Sequence, residues 1–550
     1  MKKLLGVIAF SMLCAFCGVL SYAQSHADFY KQVAQEKQLY KNQQWLNLLH
    51  YKDGASEITS KTFFLSPKGQ KNPQEEMNAQ IDALFEAKAE NEAFVCRFPL
   101  RAQWLVEQLG ISQEILPSNS CTALIDFKTT LVADSAAVFY TGESVRNPEN
   151  LFGHVGIVLN NHSDPDKSYA LYFHQDIRQN DVLPLKFVKD ILGMYKGYFV
   201  LASAQEMRDT FYDVNDRDVW EYDAKIDKAQ LRTLALHMWE LNGHQTSYSF
   251  IAYNSANAVD GILKTVKPDL DTDGLRMTPM DLVKRLIDGG FLSAKAYHPS
   301  DASQRSGRRP AAIPVAVSGS ITRVPVQHSP VEAHDPTRID AAFGYNTYRD
   351  STFAKIVVNP LIHETIDSET GYAGTVHLTF FALESRYYFD DEDFDFNFTF
   401  AGLRSSPDAS QALNPSINTS LTASTDKDSL DHSRGKSIAF TNNVGLTYEV
   451  LGFLEFSGFI KAQAKAKDSA KGWYLGTGAI GMVTAKYGDY GSTSANINFD
   501  IGTDGHRSDD LYVNVAHSFY INKSFSLNAN YKYDFDDDKS IYDAGFSIYF

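Results

Sequence analysis

The chain has 550 residues and a formal net charge of -16, with 51 Lys and Arg against 67 Asp and Glu. Such an acidic chain is a poor partner for nucleic acid, and its length exceeds what one hydrophobic core usually organises. We therefore expect a multidomain protein that does not bind nucleic acid.

The N-terminus has the parts of a secretory signal peptide. Lys2 and Lys3 precede an apolar run over 4–20, and a small-x-small cleavage site ends at Ala23. We expect residues 1–23 to be a signal peptide and the mature chain to be exported in a bacterium.

Two cysteines remain after this processing, Cys96 and Cys121. In an oxidising compartment, two cysteines in one small subdomain favour a disulfide. A pair of buried free thiols is the alternative.

Changes in residue composition and periodicity divide the mature chain into four segments. Residues 24–130 show helical periodicity, and residues 131–298 alternate β-rich and helical stretches, which predicts an α+β domain. Residues 299–335 carry Ser, Pro, Gly and Arg without a period, which is typical of a linker. Residues 336–550 change again and consist of short β-type segments.

This last segment predicts an antiparallel transmembrane β-barrel. In "DFDFNFTF", Phe394, Phe396, Phe398 and Phe400 share one face, and the final "YDAGFSIYF" alternates in the same way up to Phe550. Apolar and polar residues that alternate in segments of about ten, with aromatic ends, are typical of outer-membrane barrels, and about 10–12 strands are expected. A soluble β-sandwich with one solvent-facing side is the alternative.

Several catalytic and metal-binding motifs are absent from the sequence, among them the Walker A loop, HExxH and GxSxG. "DLDTDG", residues 269–274, begins like an EF-hand loop, but its twelfth position is Met280 where a bidentate Glu is needed. We therefore expect neither a metal ion nor a cofactor.

One pair of segments suggests nucleophilic chemistry, "NLFGHVGIVLN" and "YNSANAVDGIL". Ser255 stands between a predicted strand and an apolar helix, where covalent enzymes place a nucleophile, and His154 opens a strand after Gly153. A nucleophile and its base need only be neighbours in space. A helix-capping serine and a structural histidine are the alternatives.

Residues from about 38 to 298 resemble the bacterial family of the periplasmic N-terminal domain of Lnb, the lipoprotein intramolecular acyltransferase. The resemblance rests on segments spread along the chain, and the barrel region is similar to that of the longer Gram-negative members, notably in "NPLIHETIDSETGY". The matching segments before the barrel are "WLNLLHY", "FFLSPKG", "CRFPLRAQWL", "FGHVGIVL", "GMYKGYFVL", "DRDVWEYD", "HMWEL", "YNSANAVDGIL" and "TPMDLVKRL".

The resemblance implies a papain-like domain with a cysteine nucleophile and a histidine base. The base corresponds to His154. The family cysteine usually follows Glu-Asn, whereas this sequence has Tyr253-Asn254-Ser255. The catalytic candidates are therefore Ser255, His154 and Asn254, with a serine where the family has its cysteine.

Three functions follow as hypotheses. As an enzyme, the protein would transfer or hydrolyse an acyl group on the amino-terminus of a lipoprotein, or cut a peptidoglycan amide. As a non-catalytic protein, it would bind lipid, lipoprotein or cell wall. The third hypothesis makes the barrel a small channel. All three place the barrel in outer-membrane lipid and the preceding domains in the periplasm.

Overall fold

The computed structural model describes residues 26–117, 121–130, 132–142, 153–176, 189–190, 192–214, 217–249, 252–272, 277–299, 329–372, 376–405, 414–425, 436–451, 453–467, 473–502 and 510–550. The chain divides into two compact units, Met1–Thr141 with Phe152–His298, and Gly142–Leu151 with Pro299–Phe550. The predicted signal peptide and most of the predicted linker lie outside the described residues, so both remain predictions.

The first unit begins with helices, as the sequence predicts. Asn72 caps one of them by accepting hydrogen bonds from the backbone N–H groups of Gln74 and Glu75, both at 3.1 Å. Gly110 ends another with a φ of 69°, in the left-handed region that glycine tolerates best. The helical elements here are residues 26–36, α1 (Gln43–Leu48), α2 (Pro73–Phe85), α3 (Lys88–Arg97), α4 (Pro99–Leu109) and α5 (Thr122–Thr130), with 3-10 turns at Leu39–Lys41, Lys61–Phe63 and Gln113–Ile115.

The predicted disulfide is confirmed. Cys96, near the end of α3, bonds to Cys121, the residue before α5, with their Cα atoms 5.5 Å apart. The two residues are 25 positions apart, and closing a loop of this size removes about 3 kcal/mol of entropy from the unfolded chain in the entropy model.

The remainder of this unit is a seven-stranded antiparallel sheet with helices. Its strands lie in the order β8-β6-β5-β4-β3-β7-β9. Two earlier strands, β1 and β2, form a small separate hairpin in the helical part. The strands are β1 (Tyr51–Lys52), β2 (Ala55–Ser56), β3 (Ser135–Thr141), β4 (His154–Asn160), β5 (Tyr169–Gln175), β6 (Tyr195–Ser203), β7 (Val219–Ala224), β8 (Gln245–Tyr248) and β9 (Leu292–His298), and the helices are α6 (Ala204–Arg208), α7 (Lys228–Leu241), α8 (Ser255–Leu263) and α9 (Pro279–Asp288).

This arrangement confirms the mixed sheet and helix predicted for the middle of the chain. Helix α8 packs on β4 and β5, and buried side chains such as Phe139, Val158 and Met207 form a core against the sheet. The papain-like arrangement implied by the resemblance remains a prediction. Among the described helices, none is both long and apolar enough to cross a membrane.

A buried ion network joins the helical part to α7. Arg101 and Glu240 are both inaccessible to solvent, and the Arg101 Nε lies 3.2 Å from a Glu240 carboxylate oxygen. The same guanidinium stacks over the Phe98 ring at 3.7 Å and donates to the Phe63 carbonyl at 2.9 Å. Glu240 also accepts from the Leu100 backbone N–H at 2.7 Å, so the start of α4 is fixed against α7.

The second unit is a closed antiparallel barrel. The first strand, β10, pairs with the last, β22, from Arg338 opposite Tyr549, and this pairing closes a ring of twelve strands. After β11 the chain enters the short strand β12, and both β11 and β12 pair with β13. The strands are β10 (Arg338–Asn346), β11 (Ser351–Asn359), β12 (Leu361–His363), β13 (Val376–Tyr388), β14 (Asp393–Ser405), β15 (Asn414–Ser424), β16 (Ser437–Val450), β17 (Leu454–Lys467), β18 (Trp473–Lys486), β19 (Gly491–Gly502), β20 (Asp510–Asn522), β21 (Phe525–Asp534) and β22 (Lys539–Tyr549).

The two faces of the barrel wall differ as the alternation predicts. Phe394, Phe396 and Phe400 are exposed on the outside, whereas Asp395 between them is buried inside. The interior carries paired charges, among them Lys355 with Asp543 and Lys461 with Asp500, each at 2.6 Å. A ring without a free edge, apolar outside and polar inside, is a membrane barrel. The alternative of a soluble sandwich is therefore wrong.

Candidate functional site

Helix α8 begins at Ser255, but its N-cap is the preceding residue, Asn254. The Asn254 side chain accepts a hydrogen bond from the Ala256 backbone N–H at 2.8 Å and donates one to the Met277 carbonyl at 2.9 Å. Asn257 completes a capping box by accepting from the Asn254 N–H at 3.0 Å. The interpretation of Ser255 as a capping serine is therefore wrong, because Asn254 already fills that role.

The Ser255 hydroxyl is directed to β4. Its Oγ accepts a hydrogen bond from the Val155 backbone N–H at 3.4 Å, and Val155 directly follows His154. The structure thus brings the two predicted residues, which are 101 positions apart in sequence, to neighbouring elements. Both are buried, with exposed fractions of 2% for Ser255 and 3% for His154.

Gly153 explains why the strand can begin at His154. Its φ is +82°, and a Cβ atom there would lie 2.5 Å from the Tyr140 ring and 2.6 Å from the Thr141 carbonyl oxygen. Only glycine fits this close approach without a shift of the chain. The backbone therefore requires glycine before His154, and the strand that follows places His154 opposite Thr141 on β3.

The His154 imidazole is neutral at neutral pH. Burial lowers its pKa well below the usual 6.5, and the nearby Arg217 and His174 lower it further. The ring stacks on Phe211 with a centroid distance of 5.2 Å, and within the described part of the chain its Nε2 has no hydrogen-bond partner. A neutral imidazole has the protonation state that a general base needs.

Two neighbours of His154 were missed from the sequence. Arg217 is 2% exposed and donates to the Thr141 carbonyl at 3.3 Å. Strand β4 pairs with β5 from Gly156 opposite Tyr172, and extending this register by two residues places His174 near His154, in agreement with its effect on the His154 pKa. The hairpin "HVGIVLNNHSDPDKSYALYFHQ" could have given this pairing, whereas nothing in the sequence indicated Arg217.

Tyr253 stands where the resemblance implies a glutamate. Its backbone N–H and carbonyl both bond to Ser249 at 3.0 Å, as an isolated antiparallel bridge just before α8. The ring packs edge-on against Phe173 at 5.6 Å, and burial raises the pKa of its phenol well above the usual 10. Tyr253 therefore supplies packing at this position and no negative charge.

The second unit contains a histidine cluster that the sequence analysis did not find. His334, His363 and Asp367 are buried, with potential metal-ligand atoms within 4.8 Å of one another. Several of their potential ligand atoms already have hydrogen-bond partners, although the His363 Nε2 has none among the described residues. His334 and His363 bond to each other at 3.0 Å, and Asp367 accepts from Arg338 and from the Tyr549 hydroxyl, both at 2.7 Å. A cation at Asp367 would compete with the Arg338 guanidinium, so the cluster is a poor metal site.

The fold and the site define a class of protein, namely an outer-membrane β-barrel protein with an additional domain of mixed sheet and helix. The family comparison is more specific. Residues 124–289 match the Lnb N-terminal periplasmic domain, residues 37–108 match a domain of unknown function (DUF7843), and residues 327–550 match another (DUF7840). Residues 124–289 are thus similar to the Lnb N-terminal periplasmic domain, with that domain in the periplasm and the barrel in the outer membrane.

The search of the curated proteins found no match. Among solved structures, the barrel is similar to the KdgM porin (14% identity, TM-score 0.26, 39% of this chain and 99% of that one) and the NanC porin (10%, 0.27, 38% and 98%). It is also similar to the translocator domain of the autotransporter NalP from Neisseria meningitidis (10%, 0.23, 39% and 86%). Identities and TM-scores this low say nothing about function.

Proposed function

We propose that this outer-membrane-anchored protein acts on acylated lipoproteins, with Ser255 as nucleophile and His154 as base. The observation that carries the proposal is the hydrogen bond from the Val155 N–H to the Ser255 Oγ, because it holds the hydroxyl beside the strand that begins with His154. Since Asn254 caps α8, the Ser255 hydroxyl is not needed as the N-cap of this helix.

The chemistry is an acyl transfer in two steps. His154 takes the proton of the Ser255 hydroxyl as the oxygen attacks the acyl carbonyl of the lipoprotein, and the leaving alcohol receives that proton. An amine or water then attacks the acyl-serine ester, and the acyl group passes to it while the Ser255 oxygen regains a proton. The N-terminal end of α8 carries partial positive charge that stabilises the oxyanion.

Two features make this site slower than one with a cysteine. A serine is not ionised at neutral pH without a well-placed base, whereas a cysteine is partly thiolate. Ser255 and His154 are also almost inaccessible to solvent, so a substrate reaches them only when the covering groups move.

The second candidate function is binding without catalysis. It is supported by the His154 Nε2, which is buried and without a hydrogen-bond partner among the described residues, so no side chain fixes the ring through that atom. In a working nucleophile and base pair, a third group usually orients the base. In this second candidate the domain holds an acylated lipoprotein or a cell-wall peptide.

Mass spectrometry of the purified full-length protein distinguishes the two candidates. The protein in detergent is incubated with a synthetic acylated lipopeptide, and the peptide that contains Ser255 is measured. Catalysis predicts a mass increase equal to the acyl group, no increase in Ser255→Ala, and faster turnover in Ser255→Cys. Binding of the lipopeptide with no acyl-enzyme in the wild type or in Ser255→Cys would contradict the enzymatic proposal and support the second one.

A further inference from the structure

The loop between β12 and β13 crosses the lumen of the barrel. In the ring of twelve strands, β13 and β19 are diametrically opposed, with five strands between them in either direction. Yet the Ile366 carbonyl accepts hydrogen bonds from the Ser492 hydroxyl of β19 at 2.9 Å and from the Tyr520 hydroxyl of β20 at 2.8 Å. A loop that leaves one wall and bonds to the opposite wall spans the lumen.

Three cations around the wall bond to side chains of this loop. Arg338 of β10 bonds to Asp367 at 2.7 Å and to Glu364 at 2.9 Å. Lys486 of β18 pairs with Glu369.

The third cation, Arg404 of β14, donates to the Thr365 hydroxyl at 3.0 Å. Together with the bonds of Ile366, these contacts tie the loop to strands on all sides of the ring. They also use most of its polar side chains, which is the pattern expected of a loop that is built to stay inside the lumen.

The loop lies at one defined end of the barrel, where β10 begins and β22 ends. The domain that matches the periplasmic family model precedes β10 in the chain, so the end at which β10 begins is the periplasmic end.

With the loop in place, the lumen still has room for water and small solutes. Two cavities of about 420 and 410 Å³ lie inside the barrel, and Glu364 and Ile366 of the loop line both of them. Their other walls carry polar side chains, among them Asn496, Asn498 and Asn530, together with apolar ones. The loop thus separates a polar lumen from the periplasmic end.

From this geometry we propose that residues 364–370 form a plug that closes the barrel at its periplasmic end, and that releasing the plug opens a polar channel. The proposal does not depend on the function of Ser255. It also changes the hypothesis that the barrel is a small channel. The barrel is closed with the plug in place and is a channel only without it.

Conductance across planar lipid bilayers tests the plug with the full-length protein. One variant removes the three carboxylates (Glu364→Gln, Asp367→Asn and Glu369→Gln together), and a second replaces residues 364–370 by a Gly-Ser segment of equal length. The matched control is Lys461→Gln, which removes the lumen ion pair with Asp500 but does not touch the loop. Folding of each protein is checked by its heat-modifiable mobility in gels.

We expect the wild type and Lys461→Gln to show no steady open-channel current, and both plug variants to show stable conductance steps and uptake of small neutral sugars in vesicle-swelling assays. If the plug variants fail to fold, Ser492→Ala with Tyr520→Phe removes only the bonds to the opposite wall, and it should give brief openings that the wild type lacks. Steady wild-type current of the size seen in the plug variants, or folded variants that remain silent, would overturn the proposal.

Discussion

The Ser255 Oγ accepts a hydrogen bond from the Val155 backbone N–H, at 3.4 Å. This bond joins the first residue of α8 to the second residue of β4, and it brings the only two segments in which the sequence suggests nucleophilic chemistry into contact. Because Asn254 caps the helix, replacing Ser255 and replacing Asn254 have different consequences.

Ser255→Ala is expected to abolish acyl transfer with little loss of stability. It removes one long hydrogen bond and leaves the buried Val155 N–H without this acceptor, which costs about 1 kcal/mol. Asn254→Ala loses the N-cap and leaves the Met277 carbonyl without its donor, and we expect it to lower the free energy of unfolding by about 2 kcal/mol. Thermal melting of both variants checks this order. A larger loss of stability in Ser255→Ala than in Asn254→Ala would contradict it.

The pH dependence of activity is expected to follow His154. Its pKa lies well below 6.5, so the imidazole stays in the neutral, proton-accepting form as the pH falls through 6.5. The rate of acyl transfer should therefore be flat across the neutral range, and its acid limb should lie below pH 6.5. A rate that falls by half at or above pH 6.5 would show that His154 is not the base or is not buried in the working state.

The contribution of Glu57 to the stability of the first unit is expected to fall as the pH rises from about 4.5 to about 7. Burial raises the pKa of Glu57 from its usual 4.5 to about 7, with Asp260 and Asp53 raising it further and Lys52 opposing them. The folded protein thus binds more protons than the unfolded chain in this range, and the contribution of Glu57 is complete below pH 4.5 and lost through pH 7.

Glu57→Gln should remove this contribution, so that its melting temperature relative to that of the wild type increases between pH 4.5 and pH 7. The matched control is Glu107→Gln, since Glu107 is exposed on α4. We expect the control to keep the wild-type slope between pH 4.5 and pH 7. Equal slopes in Glu57→Gln and the wild type would show that Glu57 does not carry the effect.

The outward face of the barrel should tolerate no positive charge at its mid-height. Ile460 lies in the middle of β17 with an exposed fraction of 73%. In lipid, Ile460→Arg is expected to cost about 2–4 kcal/mol of folding free energy. Val132→Arg, at an exposed position of the first unit, is the control and should be nearly neutral. Urea titration in lipid vesicles measures both, and equal small effects would contradict a lipid-facing Ile460.

Local patterns were sufficient to predict the elements with strong periodicity. The alternation around Phe394 predicted the strand and its outward face, and two cysteines in one exported subdomain predicted the disulfide between Cys96 and Cys121. In both cases the information lies within one segment or in a simple pairing, so no knowledge of the packing was needed.

The cap of α8 illustrates where local patterns are insufficient. Asn254 and Ser255 are both good N-cap residues, and a shift of one residue exchanges their roles. The hydrogen bonds of Asn254 to Ala256 and Met277 decide between them, and Met277 is distant in sequence. The plug was missed for a similar reason, since the approach of Ile366 to Ser492 depends on how many strands close the ring.

The acylation state of lipoproteins in cells tests the role of Ser255 most directly. Lipoproteins are analysed by mass spectrometry from a strain that depends on this protein and carries the wild type, Ser255→Ala or Ser255→Cys. The account predicts altered acylation with Ser255→Ala, and acylation at least at the wild-type level with Ser255→Cys, because thiolate is accessible near pH 7. Identical acylation in all three strains, with each protein folded in the outer membrane, would contradict it.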